Sequence, residues 1–260
     1  MFSILFRFAR TLSMRGLTPC TKRKNKSMMN RLPTRQRVSS VSPASLLTLA
    51  LFLCPTVASA RQIPAASEQH GEYLLSRGQY VKAIAVFDEV IRRNPKNNTA
   101  YVNRGLAYDD LNQHDKAIAD YSAALRLDPK DAQAYANRGG VYNTLKQYGK
   151  GLTDCDKAIS LDPKLETAYY NRGIAHRHLK QYEKALADYS EAMRLNPKDS
   201  NPVINRGVVY GDLKQYNKVV ADLEAYLKMV PNAPDAAKVR EAIADAKSEL
   251  KARGAGGAAM

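Results

Sequence analysis

The triplet Asn-Arg-Gly occurs at residues 103–105, 137–139, 171–173 and 205–207, with a spacing of 34 residues each time. Six residues after each Gly stands a Leu (Leu111, Leu145, Leu179, Leu213), and 24 residues after it a Pro (Pro129, Pro163, Pro197, Pro231). A weaker copy precedes them, with Gly71, Tyr80, Ala83, Phe87 and Pro95 in phase. A period of this length constrains the fold more than any other feature of the chain. Each unit is one supersecondary element too small to bury its own apolar face, so the units must stack.

Within residues 98–131, Tyr101, Gly105 and Tyr108 share one stripe at three- and four-residue steps. Ala117, Tyr121, Ala124 and Leu125 form a second stripe after a polar break at 112–115. This periodicity predicts two amphipathic helices per unit. A Gly inside a helix costs about 1 kcal/mol relative to Ala, so its return in every unit predicts another helix in close approach. Asp128-Pro129 closes the unit, because Pro restricts the residue before it and cannot continue the hydrogen-bond ladder. The amphipathic stretch 234–253 is placed to cap the last unit, and residues 254–260 read as a frayed tail.

These residues resemble the tetratricopeptide repeat family. Its pattern of aromatic, Leu, Gly, Tyr, then Ala, aromatic and Pro is met by Tyr101, Gly105, Tyr108, Ala117, Tyr121 and Pro129, and in phase by the units at 132–165, 166–199 and 200–233. Residues 64–97 form a degenerate unit. The departures are Gly151 and Val219 for the second-helix Ala, Cys155 and Leu223 for the second-helix aromatic, and Arg for Leu before the Gly in four units. The resemblance implies an all-α fold, a right-handed α-solenoid of about five helical hairpins plus the capping helix at 234–253.

The Arg departure has a partner at fixed spacing. Sixteen residues after Arg104, Arg138, Arg172 and Arg206 stand Asp120, Asp154, Asp188 and Asp222. A planar guanidinium held bidentate by that Asp, within a unit or across a junction, is one reading. The other is a helix-surface pairing of the same Asp with Lys116, Lys150, Lys184 or Lys218, four residues before it.

Charge is uneven along the chain. Residues 1–60 hold ten Lys or Arg and no acidic residue, which leaves 30 basic against 25 acidic residues, about +5, in the remainder. The basic excess of the whole chain is therefore no argument for nucleic-acid binding. The order of residues 29–60, a basic start, a short apolar run and Ala-Ser-Ala before Arg61, is that of a secretory signal cleaved after Ala60. The preceding stretch makes this leader unusually long, so the true start is expected at Met28 or Met29, with an organellar transit peptide or an uncleaved membrane anchor as alternatives. Leu46 to Cys54 is well short of the ~20 residues of a spanning helix. No stable span is expected in the mature form, and its localisation is expected to be periplasmic or secreted.

No catalytic constellation emerges. Cys155 occupies the core place of Tyr121 and Tyr189 and reads as a buried structural thiol. His176 and His178 stand two apart, so on a helix they diverge and cannot share a metal. His176 is expected in the core and His178 at the surface. The chain is read as no enzyme, with no cofactor and no metal. Lys146, Lys180 and Lys214, in the recurring Leu-Lys-Gln-Tyr, would stack as a basic ladder along one edge, a solvated face or the seat of an acidic partner.

In the family resembled, the first helix of each hairpin lines a concave groove that binds a peptide or partner protein. Carried over residue by residue, the groove comprises Val102, Leu106, Asp109, Asp110, Asn143, Tyr170, Ile174, Arg177, His178, Ile204, Val208 and Asp212. Tyr170 would be its aromatic anchor, Arg177 an anion contact, and Asp109, Asp110 and Asp212 an acidic rim. Homo-oligomerisation through a terminal repeat or the capping helix is the alternative from the structural class.

Overall fold

A computed structural model describes the backbone of residues 67–257 and the side chains of residues 67–253. The expected targeting segment, 1–60, lies outside the described residues. Eleven helices and no strand occur among them. They are α1 Glu68–Ser76, α2 Tyr80–Arg93, α3 Asn98–Asp110, α4 His114–Leu127, α5 Ala132–Thr144, α6 Tyr148–Leu161, α7 Glu166–His178, α8 Tyr182–Leu195, α9 Asn201–Asp212, α10 Tyr216–Met229 and α11 Ala236–Gly257. Consecutive pairs from α1/α2 to α9/α10 form hairpins, and α11 packs on α10. Each hairpin touches only the hairpins next to it in sequence. The molecule is thus an all-α solenoid.

The helix ends follow from local chemistry. The side chains of Ser67, Asn97 and Asp131 accept from the backbone N–H of His70, Ala100 and Ala134, satisfying donors that a helix start leaves unpaired. Every first helix ends in one left-handed residue: Gly78, Asn112, Lys146, Lys180 and Lys214, with φ between 55° and 69°. At Lys146 the N–H donates to Asn143 O at 2.9 Å, while the N–H of Gln147 donates to Tyr142 O at 2.8 Å. This paired closure recurs in all five hairpins. The three lysines of the expected ladder therefore occupy a place that favours Gly. Lys146→Gly should stabilise the chain by about 0.5 kcal/mol, the strain relieved less the extra chain entropy. A denaturation midpoint that rises for Lys146→Gly and is unmoved by Lys146→Ala would bear this out.

The recurring Gly residues are where helices meet. A Cβ on Gly105 would stand 3.0 Å from the Tyr121 ring, one on Gly173 2.7 Å from the Tyr189 ring, and one on Gly139 2.9 Å from Cys155 Sγ. Ala83, Phe87, Ala117, Tyr121, Ala185, Tyr189 and Leu223 form the apolar spine and are buried. Cys155 continues that spine, and burial pushes its thiol pKa well above the usual range. The last helix runs to Gly257, past the end expected at 253. No Pro interrupts its ladder.

The Arg–Asp spacing is realised in all four units. Nε and Nη2 of Arg104, Arg138, Arg172 and Arg206 donate to both oxygens of Asp120, Asp154, Asp188 and Asp222, at 2.7–3.0 Å along the two principal bonds. These aspartates are buried. Three of the four competing lysines turn elsewhere: Lys116, Lys150 and Lys218 lie over the rings of Tyr108, Tyr142 and Tyr210 at 5.0–5.4 Å. A further contact was not foreseen. Nη1 of each Arg reaches back sixteen residues into the preceding hairpin, to Asp88, Ser122, Asp156 and Ser190 in turn, at 2.7–3.1 Å. Each guanidinium thus clasps its own helix, the second helix of its hairpin and the second helix of the hairpin before.

Candidate partner-binding face

Successive first helices touch one another, whereas successive second helices do not. A stack whose elements lie closer on one side curves toward that side, so α1, α3, α5, α7 and α9 line its inner face. The approach is tightest between α5 and α7. Asn143 Nδ2 donates to Asn171 O at 2.7 Å, and Asn171 Nδ2 donates to Ala136 O at 3.0 Å. Gly140 permits it, since a Cβ there would stand 2.9 Å from Asn171 Nδ2.

This curvature sorts the expected groove residues. Tyr170, Ile174, Ile204 and Val208 are buried in the core between consecutive hairpins. Tyr170 is only 2% exposed; its hydroxyl accepts from Asn205 Nδ2 at 3.2 Å, and its ring leans on Tyr189. It is a packing residue and not the exposed anchor expected. Asn143 is buried as well, its Oδ1 lodged in the space that Gly151 leaves by lacking a side chain. Arg177 is committed to Asp212 of the next hairpin, Nε donating to Oδ2 at 3.0 Å, so neither is a free contact for an anion or a cation. Val102, Leu106 and Asp110 remain partly exposed.

The two histidines differ from expectation in one respect. His176 is buried, with Nδ1 2.7 Å from Gln181 Oε1. His178 is half-buried, stacked on Tyr148 with ring centroids 4.6 Å apart and planes 5° from parallel. Burial, then the charge of Arg177, lowers its pKa. Among the described residues no group of three His, Cys, Asp or Glu side chains converges as a metal site would require.

At the C-terminal end of α3 two adjacent carboxyls, Asp109 and Asp110, stand on the inner face, Asp109 buried and Asp110 partly so. Asp109 is buried and 3.0 Å from His114 Nδ1, and burial raises its pKa. Asp110 is pushed up to about 6 by burial and by the charge of Asp109, against the opposing hydrogen bond of Tyr80. Glu72 accepts from Asn103 Nδ2 at 3.3 Å.

Tyr80, His114 and Tyr148 contact expected groove residues but were not themselves expected there. Each opens a second helix, where Tyr182 and Tyr216 also stand, and Tyr80 and Tyr148 cross to the first helix of the next hairpin, at Asp110 and His178. For Tyr148 the signal was present in the Leu-Lys-Gln-Tyr repeat, whose Tyr crosses the joint while its Lys turns the chain; Tyr80 and His114 hold the same place in Arg-Gly-Gln-Tyr and Leu-Asn-Gln-His.

Paired helices stacked in one direction, a Gly contact in each, and an inner face built by the first helices define a helical-hairpin repeat scaffold. Sequence comparison gives the particular family. Profiles described as Tetratricopeptide repeat match residues 68–132, 103–166 and 167–199, and the chain belongs to the tetratricopeptide repeat family. Membership supports a scaffold for protein–protein interaction. No curated protein matches the sequence.

Solved structures share the fold. PilW, a widely conserved type IV pilus biogenesis factor, is 21% identical with a TM-score of 0.61, over 71% of this chain and 90% of that one. TTC0263, a thermophilic tetratricopeptide protein of Thermus thermophilus, is 18% identical with a TM-score of 0.60, over 69% and 98%. YrrB, described as having an unusual peptide-binding site, is 20% identical with a TM-score of 0.51, over 66% and 89%.

Proposed function

We propose that the chain is an exported scaffold that holds a peptide or partner-protein segment along its inner face. The observation that carries this reading is the stretch of α3 where Val102, Leu106 and Asp110 remain partly exposed between neighbouring first helices. Family membership and the peptide-binding site of YrrB support it. Export rests on the basic leader, the short apolar run and the Ala-Ser-Ala site, which make Arg61 the mature N-terminus and are tested by N-terminal sequencing of the mature protein. Among the described residues no helix is long and apolar enough to cross a membrane.

The binding test uses random 12-residue peptides displayed on phage, selected against the full chain. Leu106→Glu should weaken the selected peptides at least about tenfold, or about 1.4 kcal/mol. Lys146→Glu/Lys180→Glu/Lys214→Glu should leave them bound. The reverse pattern, with both variants folded, would move the site to the Lys edge and refute the inner-face reading.

A further inference from the structure

The inner face has one end where negative charge is partly buried and uncompensated. Asp110, partly buried, has no ion-pair partner among the described residues. Every carboxylate of the guanidinium clasps, and Asp212 beside Arg177, is matched by a cation. A carboxylate drawn out of water without a counter-charge is costly, and the elevated Asp110 carboxyl reports that cost. A second observation points to the same place. The Tyr121 hydroxyl is fully buried, has no hydrogen-bond partner, and lies within electrostatic reach of both Asp109 and Asp110. Asp110 thus has hydroxyls of α2 and α4 in its surroundings and no cation of its own. The partly exposed Leu106 and Val102 lie one and two turns back along α3.

We propose that the Asp110 end of the inner face binds a Lys or Arg side chain of the partner segment, flanked by apolar residues that lie on Leu106 and Val102. This rests on the inner-face reading above and specifies the partner's chemistry. An ammonium or guanidinium brings N–H donors to the partly exposed Asp110 carboxylate and the positive charge that it lacks. The assignment also runs against the basic excess of about +5 in residues 61–260, which would draw acidic segments. A preference for basic ones therefore has to arise locally.

The site carries its own pH signature. The groups facing Asp110 are Asp109 on its own helix, itself paired with His114 of α4, Tyr80 from α2 and Tyr121 from α4. A bound cation favours the carboxylate, so the Asp110 pKa is lower in the complex than its free value of about 6. Affinity is then fully present above pH 6 and falls as pH drops through that value.

The same phage library, selected in parallel against the full chain and its Asp110→Asn variant, provides the test. The expected result is Lys or Arg enriched at one position of the peptides selected by the parent chain, with the enrichment lost in the variant. One such peptide, assayed by fluorescence anisotropy, should bind about tenfold more weakly to Asp110→Asn at neutral pH. Its affinity for the parent should drop toward pH 5, while the variant shows a flatter profile. Selected peptides without basic enrichment, still displaced by Leu106→Glu, would overturn the cation site and leave the inner-face reading standing. Peptides indifferent to Leu106→Glu would overturn both. A selection that returns no peptide, together with a sedimenting dimer that Asp110→Asn returns to monomer, would assign the face to a second copy and refute the proposal.

Discussion

Asp154→Ala is expected to lower stability by about 3 kcal/mol, because it leaves the Arg138 guanidinium largely buried with only a hydroxyl to face. Asp120→Ala makes the same truncation one unit earlier and should cost distinctly less, about 1–2 kcal/mol, since Arg104 keeps Asp88 at 2.7 Å. The two sites are otherwise closely matched. Arg104 lies over Tyr101 and Tyr108 at 5.5 and 5.9 Å, and Arg138 over Tyr135 and Tyr142 at 5.6 and 5.9 Å. Denaturant unfolding with an unchanged m-value reads the difference directly. Equal losses would mean that the contact to the preceding hairpin contributes nothing. Replacing Arg138 and Asp154 together by apolar residues should cost less than Asp154→Ala alone, because no buried charge is then left unpaired.

Gly139→Leu should be about as damaging, at about 3 kcal/mol. Even a methyl group at this place meets Cys155 Sγ at 2.9 Å and the Gly151 carbonyl oxygen at 3.2 Å, and a backbone carbonyl cannot rotate away as a side chain can. Gly149, two residues into α6, has nothing within 4 Å of its added Cβ. Gly149→Ala should therefore gain about 0.5 kcal/mol from helix propensity alone. Thermal melts of the two variants should move in opposite directions, and parallel shifts would contradict the helix contact at Gly139.

The hairpins and the Arg–Asp pairing were legible because both repeat at constant offset, and a contact made several times in phase leaves a periodic trace. The backward reach of each Arg was not legible. Its acceptor lies in the hairpin before and alternates between Asp88 or Asp156 and Ser122 or Ser190, so no single residue type marks the place. The inner face was legible in position but not in exposure. Tyr170 stands in phase with Val102, Ala136 and Ile204, and only the three-dimensional packing shows that its ring is covered, its hydroxyl held by Asn205. The Tyr80–Asp110 and Tyr148–His178 contacts join residues 30 apart in neighbouring hairpins, and no pattern internal to one repeat displays them.

The alternation of Asp and Ser behind the four guanidinia makes the joints of the stack unequal. The first and second hairpins, and likewise the third and fourth, are bridged by a charged pair through Asp88 and Asp156; the fourth–fifth joint has a hydroxyl at Ser190 but gains the Arg177–Asp212 pair, which leaves the second–third joint with only the hydroxyl of Ser122. The Asn143–Asn171 link adds to the third–fourth joint. In a linear array, stability is a sum of unit and neighbour terms, and the weakest neighbour term decides where cooperativity breaks. The chain should accordingly part first between the second and third hairpins, into a block of two hairpins and a block of three that carries α11, so that its cooperative units are longer than its sequence repeat.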